Sequence, residues 1–278
     1  MPVFGIGTWM MGGNHQKDPN NNDDADRQAI RNALNAGITH IDTAEMYASG
    51  HAEELVGEVI KDYSRKNIFL VSKVWHTHLR FNDVLAACKK SLERLKTDYL
   101  DLYLIHAPNP DIPIKETMKA FDRLLILGLI KNIGVSNFSV RSFQKAQDCT
   151  QNKIVANQLH YNLMIREVEE KGLLAFCQKE DVILCAWRPV QKGQFNAKSF
   201  KMLDSLAQKY HKTPTQIAIN WLISQKNVVT VSKMRNPVHL KENIGAVGWN
   251  MKDEDIEILR NEFPDQSDIS DATSISII

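Results

Sequence analysis

Short apolar, β-branched runs alternate along the chain with segments whose apolar residues recur at helical spacing. The first kind predicts strands at "VFGI" (3–6), "THID" (39–42), "IFLVSK" (68–73), "DLYLIH" (101–106), "NIGVS" (132–136), "VANQL" (155–159), "VILCAW" (182–187) and "VVTVS" (228–232). The second kind predicts helices over "DADRQAIRNALNAG", "HAEELVGEVIKDY", "FNDVLAACKKSLERL", "IKETMKAFDRLLILG", "VRSFQKAQDC", "EVEEKGLLAFCQKE" and "TPTQIAINWLISQ". Gly37 and Gly128 are placed to cap helix C-termini, and Thr213-Pro214 pairs an N-cap hydroxyl with a first-turn proline. Such alternation implies parallel strands joined by helical crossovers. Eight strands favour a closed (β/α)8 barrel over an open doubly wound sheet, although an open sheet of similar size shares the pattern. No Pro/Gly/Ser-rich linker divides the chain, so residues 1–278 are expected to form a single domain, with "DQSDISDATSISII" (265–278) a loose tail.

Polar residues fall where the predicted strands end. Asp42 closes the second strand and Lys73 the third, and His106 closes the fourth. Ser136-Asn137, Gln158, Trp187 and Lys233 end later ones. In a (β/α)8 barrel the active site is built at those C-terminal ends. Any one of these residues could equally be a cap or a solvent-facing side chain. Aspartate, tyrosine, lysine and histidine converging from three successive strand ends point to chemistry. A free phenol, with a pKa of about 10, is a poor proton donor near neutrality. An adjacent ammonium favours the phenolate, so Lys73 is expected to lower the pKa of Tyr47, with Asp42 as the counter-ion of the lysine. His106 could then hydrogen-bond a carbonyl oxygen opposite the tyrosine. That set suits reduction of a carbonyl, given a hydride donor.

Composition narrows the field. The 278 residues carry 34 basic and 33 acidic side chains, a net charge of +1, which leaves no electrostatic footprint for nucleic acid or an anionic membrane. No apolar run approaches the roughly 20 residues of a bilayer span. "MPVFGIGTWMMGG" lacks the basic region and cleavage site of a signal peptide, so a cytoplasmic location is expected. Cys88, Cys149, Cys177 and Cys185 form no CxxC pair and read as buried free thiols of a reducing compartment. His76 and His78 of "HTH" read as loop histidines, and no metal site is expected.

Seven stretches resemble the aldo-keto reductase family: "GIGTWMMGG", "HIDTAEMYASGHAEELVGEVI", "FLVSKVWHTHLR", "SLERLKTDYLDLYLIHAPN", "IKNIGVSNFS", "NQLHYNL" and "ENIGAVGWNM". They follow the family's order and cover nearly the full chain. The resemblance implies a metal-free (β/α)8 reductase using a nicotinamide cofactor, usually NADPH, on small carbonyl substrates. It assigns the catalytic tetrad to Asp42, Tyr47, Lys73 and His106, with Tyr47 the acid in reduction and the base in oxidation. Ser136, Asn137 and Gln158 match positions that hold the nicotinamide carboxamide, and Trp187 matches the ring that stacks on the nicotinamide. Thr8 and Trp9 match the first strand's share of the cofactor and substrate pocket, and Trp75 matches an aromatic wall. Trp9, Trp75 and Phe4 would then line an apolar pocket suited to small aldehydes, aromatic ones included. Trp221 and Trp249 read as packing residues, and His40, His160 and Tyr161 as structural. "GIGTWM" lacks the third glycine of a dinucleotide fingerprint and carries no weight as one.

Three departures from the family pattern stand out. Arg188 of "RPV" replaces a small hydroxyl residue, which would put a guanidinium near cofactor phosphate or a charged substrate, or simply form a surface ion pair. In "SKMRNPVHLKEN", Lys233 matches a lysine at the adenosine 2′-phosphate and Glu242 and Asn243 match an adenine-binding pair. Met234 replaces a hydroxyl there and His239 an arginine, with Arg235 in a position to compensate. A dianionic phosphate wants two cationic partners, so NADPH is expected to be preferred, with NADH possible. Third, too few residues precede the first strand for the floor hairpin common in the family, and the short C-terminal segment disfavours a committed steroid enzyme. A cofactor-holding regulatory subunit of a channel is the alternative of another class. A hydrolase or aldolase using Lys73 as a Schiff base would leave Ser136, Asn137 and Gln158 unexplained. The loops "GNHQKDPNNND", "APNPDIP" and "RPVQKGQF" do not reveal the substrate, and the oligomeric state stays open.

Overall fold

All eight predicted strands form, each within two residues of its expected bounds: β1 (Phe4–Gly7), β2 (His40–Asp42), β3 (Phe69–Val74), β4 (Leu102–Ile105), β5 (Ile133–Ser136), β6 (Ile154–His160), β7 (Ile183–Trp187) and β8 (Val228–Ser232). The computed structural model describes residues 1–263 together with Ser270, Ala272 and Ile275. The strands pair in parallel in chain order, and β1 also pairs with β8, so the sheet closes on itself. The helices are α1 (Asp23–Asn35), α2 (His51–Ile60), α3 (Phe81–Leu95), α4 (Ile114–Ile126), α5 (Val140–Gln147), α6 (Glu167–Glu170), α7 (Leu173–Lys179), α8 (Gln194–Ala197), α9 (Lys201–Tyr210), α10 (Pro214–Ile223), α11 (Pro237–Ile244) and α12 (Asp253–Glu262). The tail expected over 265–278 lies outside the described residues apart from Ser270, Ala272 and Ile275; the first and last of these are buried.

Strand residues divide by parity, because successive side chains point to opposite faces of a sheet. Ile6, Ile41, Leu70, Tyr103, Ile105, Val135, Leu159, Leu184 and Ala186 join the helices in one large outer core. Val71, Leu102, Leu104 and Ala156 pack with Phe69 and Ile183 inside the barrel, and Cys185, Val229 and Val231 form a second inner group. Both faces are buried, so the runs read as nearly continuously apolar in sequence. The inner phase then passes from Val71 to Lys73, from Leu104 to His106, from Ala156 to Gln158 and from Cys185 to Trp187. The barrel interior therefore turns from apolar to polar toward its C-terminal mouth. Phe4 has the outer parity and joins the outer core, so it does not line a pocket at the mouth.

The caps follow expectation. Gly37 and Gly128 adopt φ of +88° and +70°, a region that costs an L side chain energy and a glycine little. Thr213 Oγ1 accepts from Gln216 N at 3.2 Å while Gln216 Oε1 accepts from Thr213 N at 3.0 Å, a complete capping box ahead of Pro214. The single helix expected over 167–180 is instead two, α6 and α7, parted at Gly172, whose φ of +69° opens α7. Helices α8, α9, α11 and α12 were not anticipated. One helix was enough to connect β7 to β8, and α10 filled that role. After β8 no further strand called for a helix, yet Trp221 Nε1 of α10 donates to Ile256 O of α12 at 3.3 Å. Of the four thiols, Cys88, Cys177 and Cys185 are buried and Cys149 is half-buried. Burial pushes the three buried thiols up to about 12, which makes them inert packing groups.

His40 carries a stability consequence. Its imidazole is fully buried at the start of β2, edge-on to Phe69. Burial lowers its pKa to about 4; Asp42 opposes the fall and the Lys73 charge adds to it. The unfolded chain binds a proton near pH 6.5 that the folded chain refuses until about pH 4. The contribution is therefore whole above pH 6.5 and falls away as the pH drops through that window, by roughly 3 kcal/mol. Denaturant titrations across this range should show the loss, and His40→Leu should flatten it. Parallel wild-type and variant curves would exclude this role.

Candidate active site

Three consecutive barrel strands deliver the tetrad. Asp42 ends β2, Lys73 is the inward residue near the end of β3, and His106 directly follows β4. Tyr47 lies in a tight turn, Tyr47–Gly50, just beyond β2. Lys73 is fully buried. Its Nζ donates to Asp42 Oδ1 at 2.7 Å, to Thr43 O at 2.8 Å and to the Tyr47 hydroxyl at 3.2 Å. These three acceptors match the three protons of an ammonium. The second carboxylate oxygen of Asp42 accepts from Gln158 Nε2 at 2.8 Å, and Thr8 Oγ1 donates to the Asp42 carbonyl at 3.1 Å. Asp42 is thus held from β1, β3 and β6 together. The His106 ring lies 5.7 Å from the Tyr47 ring at 76°, which brings phenol and imidazole to the same side of the mouth.

The turn carrying Tyr47 is conformationally costly. Ala48 and Ser49 both adopt left-handed backbone angles, φ +50° and +54°, which side chains resist. The loop after β1 holds them there: Ala48 N donates to Asn14 O at 2.7 Å and Ser49 Oγ donates to His15 O at 3.0 Å. The same loop begins with Trp9, whose indole meets the Tyr47 ring at 5.0 Å and 61°.

Electrostatics corrects one expectation. Burial raises the Tyr47 phenol above its ordinary value and Asp42 adds to this, while the Lys73 ammonium opposes both. The net direction is upward, so Lys73 limits a rise rather than producing a fall. Burial works against the Lys73 charge, but Asp42 and Tyr47 outweigh it and the ammonium is retained. Burial holds His106 well below its ordinary value, reinforced by Lys73, so its imidazole is neutral. The site therefore offers a neutral phenol that still holds its proton, a permanent cation behind it and an uncharged imidazole beside it.

The positions matched to a dinucleotide lie at the mouth ends of β5 to β8 and beyond. Ser136 Oγ donates to Gln158 O at 2.9 Å, and Asn137, in a left-handed conformation, donates from Nδ2 to His106 O at 3.0 Å and to Ser136 Oγ at 3.1 Å. Trp187 is half-buried, and His160 stacks on it with ring centres 4.1 Å apart and planes 12° apart. His160 also bonds Ser270 Oγ at 2.9 Å and Gln191 Oε1 at 3.1 Å. Arg188 places its guanidinium carbon 5.2 Å from the Trp187 ring centre. Lys233 follows β8, and loss of solvent around its ammonium, together with the neighbouring Arg235 charge, lowers its pKa. Arg235 is half-buried and bound to Asp26 at 2.5 and 2.7 Å, so one of the two expected phosphate partners already has a carboxylate. Glu242 accepts from Asn196 at 2.9 Å, and Asn243 is buried with Nδ2 3.4 Å from Ser232 Oγ. Trp75 stands against His106 at 5.0 Å and 82°.

Sequence reasoning did not pick out Asp26, Glu45 or the backing of Trp187 by His160. His160 shares the parity of Gln158 on β6, and that phase was the one available signal. Asp26 and Glu45 read as ordinary acidic residues until the fold brings their partners to them.

Comparison with known proteins identifies the family. The model of the Aldo/keto reductase family matches residues 3–261. Methylglyoxal reductase YeaE of Escherichia coli is 32% identical over 273 residues, covering 95% of this chain and 92% of that protein. Glyoxal reductase of Bacillus subtilis is 34% identical over 259 residues, covering 92% and 87%. The thermostable aldo-keto reductase Tm1743, solved with the inhibitor epalrestat, superposes with a TM-score of 0.89 at 41% identity, covering 94% of this chain and 95% of that one. An aldo-keto reductase from Klebsiella pneumoniae, solved with NADP and acetate, gives 0.84 at 32% identity, covering 95% and 92%. With a family match along nearly its whole length and eight strands closing around a buried lysine, this chain belongs to the aldo/keto reductase family of oxidoreductases.

Proposed function

We propose that the protein reduces small aldehydes and ketones to alcohols with NADPH, using Tyr47 as the proton donor. The observation that carries this reading is the 3.2 Å contact between the buried Lys73 ammonium and the Tyr47 hydroxyl, with the His106 imidazole on the same side. The residues at the mouth fit a nicotinamide dinucleotide. Trp187 offers a ring already backed by His160, and Lys233 is a cation kept short of its ordinary basicity by desolvation and then by the Arg235 charge, a combination that an arriving phosphate would relieve. Arg235 has used Nε and Nη2 on Asp26, Met10 O and Asn21, which leaves Nη1 for an anion.

A reduced nicotinamide supplies the hydride when bound. The chain does the rest. Tyr47 and His106 hold the carbonyl oxygen between them, and the Tyr47 proton passes to that oxygen as the carbon is reduced. The resulting phenolate is stabilised by Lys73 until it takes a proton back from solvent. His106, being neutral, donates from Nε2 without competing for the transferred proton. Trp9 covers the Tyr47 ring edge-on and keeps water from that side of the reacting oxygen.

Two kinds of support come from relatives: the names of the Escherichia coli and Bacillus subtilis proteins specify reduction of methylglyoxal and glyoxal, and the Klebsiella pneumoniae structures hold NADP and NADPH. The direct experiment follows oxidation of NADPH with methylglyoxal and with para-nitrobenzaldehyde. Turnover with both, and a kcat/KM for NADPH well above that for NADH, is the expected result. Lys233→Ala should narrow that cofactor ratio by about tenfold, the worth of one charged phosphate contact. Absence of turnover with any carbonyl would remove the proposal, and equal efficiency with NADH would remove its cofactor half.

A further inference from the structure

The rings at the barrel mouth form one continuous arc. His15 meets Trp9 at 5.4 Å, Trp9 meets Tyr47 at 5.0 Å, Tyr47 meets His106 at 5.7 Å, His106 meets Trp75 at 5.0 Å and Trp75 meets His76 at 4.4 Å. Every contact is edge to face, and the phenol lies mid-arc. Two of these six rings, Trp75 and His76, ride on the loop after β3. Asn109 Nδ2 donates to His76 O at 2.9 Å and Thr117 Oγ1 donates to Leu79 O at 2.7 Å, pins that act beyond Trp75.

Trp75 itself is held by Glu45. The carboxylate oxygen Oε1 accepts the Trp75 backbone N–H at 2.6 Å and also the Nδ1 proton of His78 at 3.0 Å. The Glu45 side chain is only 11% exposed, so this bond to an ionised acceptor is largely shielded from water. Glu45 stands two residues before Tyr47, and Trp75 stands two residues after Lys73. The Glu45 carboxylate therefore ties the segment that carries the proton donor to the residues just beyond the ammonium on β3, at the residue that forms the far wall of the pocket.

We infer that Glu45 is a positioning residue that fixes the Trp75 wall and thereby sets a preference for flat, conjugated carbonyl substrates over compact ones. The inference rests on the carbonyl-reductase reading given above. An aryl aldehyde is long enough to lie along the arc and touch the Trp75 indole while its carbonyl sits between Tyr47 and His106. A three-carbon dicarbonyl is too short to depend on that wall. Loss of the Glu45 bond would free Trp75 to turn away from His106, weakening aryl binding without altering the tyrosine, the lysine or the residues matched to the cofactor.

The test compares wild type, Glu45→Ala and Glu45→Gln with para-nitrobenzaldehyde and methylglyoxal, and measures NADPH dissociation constants by quenching of protein fluorescence. Glu45→Ala should raise KM for the aryl aldehyde about tenfold, the worth of one charge-assisted hydrogen bond, and leave kcat and KM for methylglyoxal within about threefold. NADPH affinity should stay within about twofold. Glu45→Gln keeps an oxygen for the Trp75 N–H and should restore most of the aryl KM, which a general packing role would not. Should Glu45→Ala unfold, Glu45→Asp, which keeps the carboxylate but draws it back from the Trp75 N–H, takes its place with the same expectations. Equal effects on both substrates, a changed NADPH affinity or no change in aryl KM would each overturn the inference. Failure of wild type to reduce either aldehyde would instead strike the carbonyl-reductase reading itself.

Discussion

Tyr47→Phe should reduce the rate of carbonyl reduction by about three orders of magnitude, within the range found for removal of a positioned proton donor. The substitution takes away one oxygen and leaves the ring. Its edge contacts with Trp9 and His106 remain, so the pocket walls are not disturbed. The residues matched to the cofactor, from Ser136 to Asn243, do not touch the hydroxyl, so NADPH affinity should change by less than about twofold. Single-turnover measurements of reduction, together with fluorescence titration of NADPH, separate the two quantities. If the variant kept most of its turnover, the proton would have to come from another group. His106 is a poor candidate, because burial and the Lys73 charge keep its imidazole neutral.

Lys73→Met should be as severe, and its pH signature is distinctive. Burial and Asp42 push the phenol upward while Lys73 alone pulls it down among the larger influences. Removing the lysine leaves the upward influences unopposed, so the phenol titrates at higher pH than in the wild type. Alcohol oxidation needs the phenolate, so the rise of its rate with pH should move to more alkaline values. Reduction needs the neutral phenol, so it gains no earlier alkaline limb and loses rate because the phenolate left behind has no cation beside it. The variant also leaves Asp42 as a buried carboxylate, 3% exposed, without a counter-ion. An unpaired buried charge costs about 3–5 kcal/mol, so a large drop in melting temperature should accompany the loss of activity. The double variant Asp42→Asn/Lys73→Met should recover much of that stability and none of the activity. An oxidation profile that coincides with the wild type would show that Lys73 does not tune Tyr47.

The barrel was legible because its strands are buried on both faces. Each therefore appears as a compact apolar run, and the polar residue that ends it marks the mouth. Parity sorted these ends as well: Asp42, Lys73, His106 and Gln158 all share the inward phase. What could not be read depended on partners remote in the chain. Asp26 and Arg235 are 209 positions apart and bond only because α1 and the loop after β8 become neighbours on closure. Glu45 lay within a recognised stretch, yet nothing local distinguishes a carboxylate that captures a backbone amide thirty positions on from one that faces solvent. Helices α11 and α12 lie beyond the last strand, where strand–helix alternation no longer calls for anything. The direction of the Tyr47 shift was missed for a related reason. A neighbouring cation can be guessed from sequence, but the extent of desolvation that opposes it is a property of the assembled interior.

Closure itself has a consequence for how the molecule is made. The seam joins Phe4 to Thr230, the first strand to the last, so no shorter stretch of the polypeptide can complete the ring. A nascent chain emerging up to β7 displays two raw strand borders, one on each flank, that only its final segment can cover. Contacts so distant along the backbone form late and slowly. Fragments ending ahead of Val228 should consequently associate with one another, and the window of greatest vulnerability during synthesis is the interval between the seventh strand and the eighth.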